Sequence, residues 1–411
     1  VGIDISCKSE VELLICRKYT QCMIQRKLKK ELLAQLGEYP IVTVVGPRQA
    51  GKTTLVRSTL TDFDYVSLEN PEIRQLATDD PKAFLRRYPS PVIFDEIQRV
   101  PALLSYIQEI VDNNKDNGQF VLTGSHQLEL REAVSQSLAG RTGVLHLLPL
   151  SIEELNDARF PVENFESSIY TGFLPRIHAG QQRPSIAYAN YYQTYVERDV
   201  RQLINLKDVN LFAKFIRVLA GRVGQIINYQ SLSNDVGVAA TTIKQWISIL
   251  EASYLIFSLP PYFENFGKRM IKSPKYYFTD TGLLCYLLNI EKQEQVLRDP
   301  LVGHLFENLV ILEALKSRYN QGLSPNLYFS RDSEGHEIDL LWLSGGRLNG
   351  FEIKSASTWT SGFKKELLRF SDKVAPLATA SVVYNGDAIE FSDGVRAVHY
   401  TETGSLFYPS N

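Results

Sequence analysis

The most chemically specific stretch of the chain is Gly46-Pro47-Arg48-Gln49-Ala50-Gly51-Lys52-Thr53, followed by Thr54. Two glycines flanking four residues, then lysine and threonine, is the spacing with which backbone amides wrap a phosphate. Gly46 and Gly51 let those amides turn inward, and a helix starting here aims its positive N-terminus at the same charge. Lys52 reaches the β- and γ-phosphates, and the Thr53 hydroxyl offers a ligand to Mg²⁺. A second constellation is Val92-Ile93-Phe94-Asp95-Glu96, an apolar strand that ends in two carboxylates. Asp95 is placed to hold the Mg²⁺ shell and Glu96 to orient and deprotonate a water. A second carboxylate has work only if water is the nucleophile, so the pair implies hydrolysis of the nucleotide over transfer to another acceptor.

Other residues belong to the same candidate site with less specificity. Phe120-Val121-Leu122 leads into Thr123-Gly124-Ser125, and Thr123 is either a contact to the γ-phosphate or attacking water or a simple turn residue. Arg141, after Leu138-Ala139-Gly140, is a candidate charge-stabilising arginine acting within the chain or on a neighbour; the alternative is a solvated surface arginine. A guanine nucleotide would call for Asn-Lys-x-Asp, and the nearest text, Asn205-Leu206-Lys207-Asp208, has the wrong order. ATP is therefore the expected nucleotide.

A separate set of charges lies near the C-terminus. Glu307 falls in a helix expected over 301–316, Asp339 in a strand over 336–342, and Glu352 and Lys354 share one face of a strand over 350–354. A carboxylate on one strand, Glu-x-Lys on its neighbour and a helical Glu suit a Mg²⁺-dependent phosphodiesterase, with Asp339 and Glu352 on the metal, Glu307 assisting, and Lys354 activating water or stabilising charge. The bland alternative is a retained fold with paired surface charges.

These groups need elements to hold them. Ile41-Val42-Thr43-Val44-Val45 reads as a buried parallel strand feeding the phosphate loop. Residues 183–206 read as one long helix whose alternating charges are by default a solvated face; Arg198 and Arg201 could instead approach the nucleotide from a lid. Residues 228–236 and 241–251 form two short helices broken by Gly237, the second with Thr241 at its cap. Strands over 254–259 and 275–278 complete a winged-helix pattern, and Lys268, Arg269, Lys272 and Lys275 make a local basic patch suited to nucleic-acid phosphates. The whole chain carries 44 basic against 46 acidic residues, a net charge of −2, so any DNA contact must come from such a patch. With 411 residues, 44% apolar and 22% charged, the chain is long enough for two to four domains and is neither disordered nor a disulfide scaffold. No run free of Asp, Glu, Lys and Arg exceeds thirteen residues, too short for a membrane span. Three of four cysteines (Cys7, Cys16, Cys22) precede Met23, and residues 1–22 read as a non-native or disordered leader; Cys285 reads as a buried thiol in a cytoplasmic protein.

Gly-Pro-Arg-Gln-Ala-Gly-Lys-Thr at 46–53, Phe-Asp-Glu-Ile-Gln at 94–98, Leu-Thr-Gly-Ser at 122–125 and Leu-Ala-Gly-Arg at 138–141 resemble a bacterial and archaeal family of AAA-plus-type P-loop ATPases. Glu-Arg-Asp-Val at 197–200, Phe-Thr-Asp-Thr-Gly-Leu at 278–283, Phe-Glu-Asn at 306–308, Tyr-Phe-Ser-Arg-Asp at 328–332, Glu-Ile-Asp-Leu-Leu at 337–341 and Glu-Ile-Lys-Ser at 352–355 resemble the domain of unknown function that follows that ATPase. His126 departs from the small residue expected after Thr-Gly-Ser. The resemblance implies ATP and Mg²⁺ as cofactors, ATPase roles for Lys52, Thr53, Asp95 and Glu96, and a PD-(D/E)XK nuclease-like fold around Glu307, Asp339, Glu352 and Lys354.

The expected architecture is α/β: a P-loop ATPase domain with a parallel sheet over 23–180, a helical lid and winged helix over 181–290, and an α/β restriction-endonuclease-like domain over 291–411. The expected activity is ATP hydrolysis coupled to DNA binding or processing, with no membrane partner and self-assembly left open. The alternative is an ATP-gated scaffold whose tail binds DNA or protein without cutting.

Overall fold

The computed structural model describes residues 24–125, 138–200, 209–262 and 273–408, except the side chains of 197–200. The leader 1–22, His126, Arg198 and Arg201 as side chains, and Lys268, Arg269 and Lys272 lie outside the described residues. Five parallel strands form the first sheet in the order β2-β3-β4-β1-β5. They are β1 (Ile41–Val45), β2 (Asp64–Ser67), β3 (Val92–Asp95), β4 (Phe120–Gly124) and β5 (Thr142–His146). The continuous apolar run of β1 is buried at every position, because both faces are covered by helices and its two edges pair with β4 and β5. Its C-terminal end delivers the phosphate loop, and the ends of β3 and β4 stand alongside.

The middle of the chain is helical. Residues 183–206 are expected to make a single helix; instead Pro184–Tyr191 is α-helical and Tyr192–Val200 widens into a π-helix. Tyr191, Tyr192, Tyr195 and Val196, at positions i, i+1, i+4 and i+5, share one face and are all buried. Asn228 caps helix Tyr229–Val236, and Gly237 ends it at φ 93°. The next helix, Ala240–Ala252, begins one residue before the expected Thr241, with Ala239 at its cap position and no side-chain cap. Strands β6 (Ile256–Leu259) and β7 (Lys275–Phe278) then pair antiparallel.

A six-stranded mixed sheet completes the fold in the order β12-β13-β11-β10-β9-β8. Its strands are β8 (Leu327–Arg331), β9 (Glu337–Ser344), β10 (Arg347–Lys354), β11 (Leu377–Tyr384), β12 (Ile389–Glu390) and β13 (Val395–His399). The β9–β10 hairpin closes on Gly345 and Gly346 with φ of 56° and 76°, the left-handed pair a two-residue turn requires. Helix Val302–Asn320 is the hub. All residues from Leu305 to Arg318 are buried, because it touches the ATPase-like unit, β7 and the C-terminal sheet at once. Its buried polar groups are matched individually. Asn308 pairs with both the amide and the carbonyl of Phe278. Glu313 accepts from the Ile152 amide at 2.8 Å, and Lys316 donates to the Leu150 carbonyl at 2.6 Å. Within the described residues, no helix is long and apolar enough to cross a membrane.

Candidate functional site

The phosphate loop has the backbone its sequence demands. A Cβ on Gly46 would lie 2.0 Å from the Leu147 carbonyl oxygen, so only glycine lets the loop pass the end of β5. Gly51 caps helix Lys52–Thr59 at φ 93°. Lys52 is 5% exposed and curls over the loop, donating to the carbonyls of Gly46 and Pro47 at 2.9 Å each. Burial lowers its pKa to about 8, with the nearby Glu96 and Asp95 carboxylates opposing the shift. The ammonium thus waits poorly solvated where phosphate oxygens would replace two carbonyls. Arg48 and Gln49 lie at the mouth, and Thr54 is exposed just beyond it.

Three strand ends converge on Asp95. Thr53 Oγ1 lies 3.0 and 3.1 Å from its two oxygens, Tyr65 of β2 donates to it at 2.8 Å, and Thr123 of β4 donates to it as well. Burial and this bond to Asp95 push the Tyr65 phenol up to about 12, so it stays a donor. Thr123 Oγ1 also accepts from the Glu96 amide at 3.1 Å, so one hydroxyl fixes the Asp95 carboxylate and the Glu96 backbone. Thr123 thus bonds Asp95 and the Glu96 backbone, a role that neither expected reading, phosphate or water contact or simple turn residue, describes. Glu96 itself has left-handed backbone (φ 58°, ψ 49°). Its carboxylate accepts from Ser125 at 2.8 Å and from Gln98. Burial raises its pKa, but Lys52, Ser125 and Gln98 more than offset that, leaving it below the ordinary carboxylate value and ionised. Thr53 and Asp95 could hold a divalent cation, and an ionised Glu96 beside them could accept a proton from water.

Arg141 requires a correction as a group acting on its own chain's nucleotide. Its carbonyl accepts from the Ile41 amide, at the start of β1, whereas the phosphate loop follows Val45 at the other end. Five strand residues, about 16 Å, separate the two. The guanidinium is instead engaged by Asp112 at 2.5 and 2.9 Å on the exposed face.

Two residues without a local sequence signal complete the site. Arg26 is 9% exposed and forks onto the Ala50 carbonyl (2.6 Å), the Leu148 carbonyl (2.7 Å) and Glu154 (3.0 Å), clamping the loop from behind. Arg176 lines a cavity of about 340 Å³ with Arg26, Gly51, Thr54, Leu55 and Pro175, beside the loop.

The C-terminal charges do meet. Lys354 Nζ bridges Glu352 (2.7 Å) and Asp339 (3.2 Å), and the Ile353 amide donates to Asp339 at 2.8 Å. Glu352 is 4% exposed, and its Oε1 has no hydrogen-bond partner. Burial and the neighbouring Asp339 charge push its pKa well above the ordinary value, against the pull of Lys354. Such an uncompensated buried carboxylate pair fits a divalent cation. Glu307 stands apart from that pair. It is held by Lys275 (3.0 Å), by Tyr277 and by His304 (3.3 Å), and despite burial Lys275 keeps its pKa down at about 2. Lys275 therefore leaves the expected basic patch: it is 3% exposed and neutralised by Glu307 and Glu337, and it offers nothing to an external phosphate.

Three family models match consecutive parts of the chain. An AAA domain covers residues 38–156, a domain of unknown function (DUF8612) covers 162–294, and another (DUF4143) covers 302–403. The uncharacterized protein Rv2008c of Mycobacterium tuberculosis is 32% identical over 388 residues, covering 92% of this chain and 84% of its own. The chain belongs to the same family. An uncharacterized protein of Haemophilus influenzae is 24% identical over 334 residues, covering 73% of this chain and 81% of its own. Among solved structures, the Walker-type ATPase PABY2304 of Pyrococcus abyssi aligns with a TM-score of 0.45 at 15% identity, covering 64% of this chain and 96% of that one. In family terms, the phosphate loop, Asp95, Glu96 and Thr123 all fall within the AAA domain, whose parallel sheet is that of a P-loop ATPase. The Lys354 bridge falls within the second domain of unknown function, and Lys275 reaches it from the first.

Proposed function

We propose that the protein binds and hydrolyses ATP and couples its nucleotide state to DNA binding or processing by the C-terminal unit. The observation that carries the ATPase reading is the Thr53–Asp95–Thr123–Glu96 constellation beside a buried Lys52. Backbone amides of 46–53 and Lys52 take the phosphates, and the cavity beside Thr54 and Arg176 takes the base. Mg²⁺ on Thr53 and Asp95 would supply positive charge to the β- and γ-phosphates. Glu96, oriented by Ser125 and Gln98, accepts a proton from the attacking water, and Lys52 balances charge on the γ-phosphate.

The helices Tyr229–Val236 and Ala240–Ala252 with the β6–β7 ribbon support a winged-helix reading, and the helix–hairpin–β11 order around Asp339, Glu352 and Lys354 supports a PD-(D/E)XK-like one. A divalent ion on Asp339 and Glu352 would polarise a phosphodiester, with Lys354 placed to stabilise charge or orient water. Glu307, held by Lys275, Tyr277 and His304, stands outside that metal site.

The ATPase test is phosphate release by wild type, Lys52→Ala and Glu96→Gln; undiminished release from Lys52→Ala would overturn the assignment. The tail is tested by cleavage of labelled single- and double-stranded DNA with Mg²⁺ or Mn²⁺, with and without ATP, against Asp339→Ala. Cutting lost in that variant supports a nuclease. Binding without cutting in every condition would favour an ATP-gated scaffold.

A further inference from the structure

Four carboxylates line one end of the C-terminal sheet: Glu352 on β10, Asp339 and Glu337 two apart on one face of β9, and Glu307 on the hub helix. They divide into two halves with opposite charge balance. The Glu352–Asp339 half has two carboxylates against the single ammonium of Lys354, and one buried oxygen, Glu352 Oε1, has no hydrogen-bond partner. The Glu307–Glu337 half is saturated. Lys275 Nζ sits between them at 3.0 Å from Glu307 Oε1 and 2.5 Å from Glu337 Oε1. The other Glu337 oxygen is taken by Arg331 at 3.1 Å, and the other Glu307 oxygen by His304 at 3.3 Å. Tyr277, two residues after Lys275 on β7, also donates to Glu307.

We propose that Lys275 stands where a second cation would sit, so that the C-terminal cluster takes one divalent metal ion, on Asp339 and Glu352, and no second one. The inference rests on reading Asp339 and Glu352 as metal ligands and adds to it the stoichiometry and the residue that sets it. The physical reason is placement. Lys275 does not come from the C-terminal sheet. It enters on β7, whose four residues are all buried, and its ammonium has carboxylates on both sides and the Phe329 ring 5.4 Å away. A lysine fixed in this way satisfies two carboxylates at once, and a free divalent ion would have to displace it from both. Removing one partner of such a buried arrangement leaves uncompensated charge, and a divalent cation is the obvious replacement.

Mn²⁺ binding to the full-length, nucleotide-free protein tests this directly. An Asp95→Asn background removes the carboxylate of the phosphate-loop site, and free Mn²⁺ is followed by electron paramagnetic resonance. One Mn²⁺ per chain is expected, weakened at least tenfold by Glu352→Gln and unchanged by Glu307→Gln. Lys275→Met should raise the count to two, and Lys275→Met/Glu307→Gln should return it to one. Two Mn²⁺ per chain with Lys275 intact, one of them lost in Glu307→Gln, would overturn the proposal while sparing the metal-ligand reading. The absence of any site sensitive to Glu352→Gln would overturn both. Should Lys275→Met fail to fold by circular dichroism, the counts in the parent and in Glu307→Gln still decide between one ion and two.

Discussion

Arg26→Met is the substitution whose effect follows most directly from the structure. The guanidinium is buried and holds three groups: the Ala50 carbonyl of the phosphate loop, the Leu148 carbonyl after β5, and Glu154. Glu154 is fully buried and keeps only backbone donors, Lys27 N at 2.7 Å and Ser151 N at 3.0 Å, once Arg26 is gone. Breaking a buried pair by removing one member costs about 3–5 kcal/mol, most of it the charge left behind. At a urea slope of about 3 kcal/mol per molar, the midpoint should fall by about 1–1.7 M. Adding Glu154→Gln removes the stranded charge and should recover at least about 1 kcal/mol of that loss, a coupling a double-mutant cycle resolves. Nucleotide affinity should remain lowered about tenfold in both variants, corresponding to about 1.4 kcal/mol, because neither restores the bond to Ala50. Urea titration by circular dichroism and nucleotide titration by calorimetry check the two parts. A single variant costing under 1 kcal/mol, or a strictly additive double variant, would refute the claim that this pair clamps the loop.

Three more outcomes follow from the same geometry. Glu96→Gln should keep nucleotide binding and lower kcat about 10²–10⁴-fold, the contribution of a positioned base, measured by single-turnover phosphate release. Thr123→Val should weaken Mg²⁺-dependent nucleotide binding about 10–100-fold, as loss of a group that orients a metal-holding carboxylate does, and a Mg²⁺ titration at fixed nucleotide reads it. Because the Lys52 pKa is lowered to about 8 in the free protein, its ammonium is lost above that pH and a bound phosphate must draw the proton back. ATP affinity should therefore fall about tenfold per pH unit above 8, with proton uptake in calorimetry, and Lys52→Met should abolish the slope. For stability the sign is opposite: above pH 8 the unfolded chain holds more protons on this lysine, so its penalty to folding fades as pH rises toward the unfolded value.

What the sequence reveals and what it hides divides along the range of the interactions. Lys52, Thr53, Asp95 and Glu96 are legible because a β-branched run, a glycine pair and a strand-terminal carboxylate pair each declare themselves within ten residues. Glu352 and Lys354 are legible for the same reason, being two apart on one strand. As a group acting on its own chain's nucleotide Arg141 misleads, because its motif is local while its position depends on register: Ile41 pairs with Thr142, which sets Arg141 at the far end of the sheet from the phosphate loop. Lys275 misleads because a basic run looks solvated until its partners appear 32 and 62 residues later, on a helix and a strand with no local mark of the contact. Arg26 and Tyr65 carry no signal at all, since Glu154 and Asp95 become their neighbours only when helix and sheet close.

The arrangement of buried charge also explains why the two candidate sites share one core. Arg26 ties the phosphate loop to Glu154 in helix Ile152–Asp157. The first residue of that helix donates to Glu313, whose partner Lys316 donates to Leu150 and lies 3.7 Å from the centre of the Phe173 ring. Both Glu313 and Lys316 are on helix Val302–Asn320, two turns from Glu307. From the other side, Asp280, just after β7, accepts from the Phe173 amide and caps helix Thr281–Leu287, while Lys275 and Tyr277 on β7 hold Glu307. A shift of the loop that moved Glu154 would thus bear on two buried ion pairs, Arg26–Glu154 and Glu313–Lys316, joined by the Ile152–Glu313 hydrogen bond. Ion pairs at this depth are bistable rather than elastic, since a half-broken one leaves a bare charge. The proposed gating of the C-terminal unit by nucleotide would need such a property, and these ion pairs are where a double-mutant cycle between Arg26 and Glu313 would test for it.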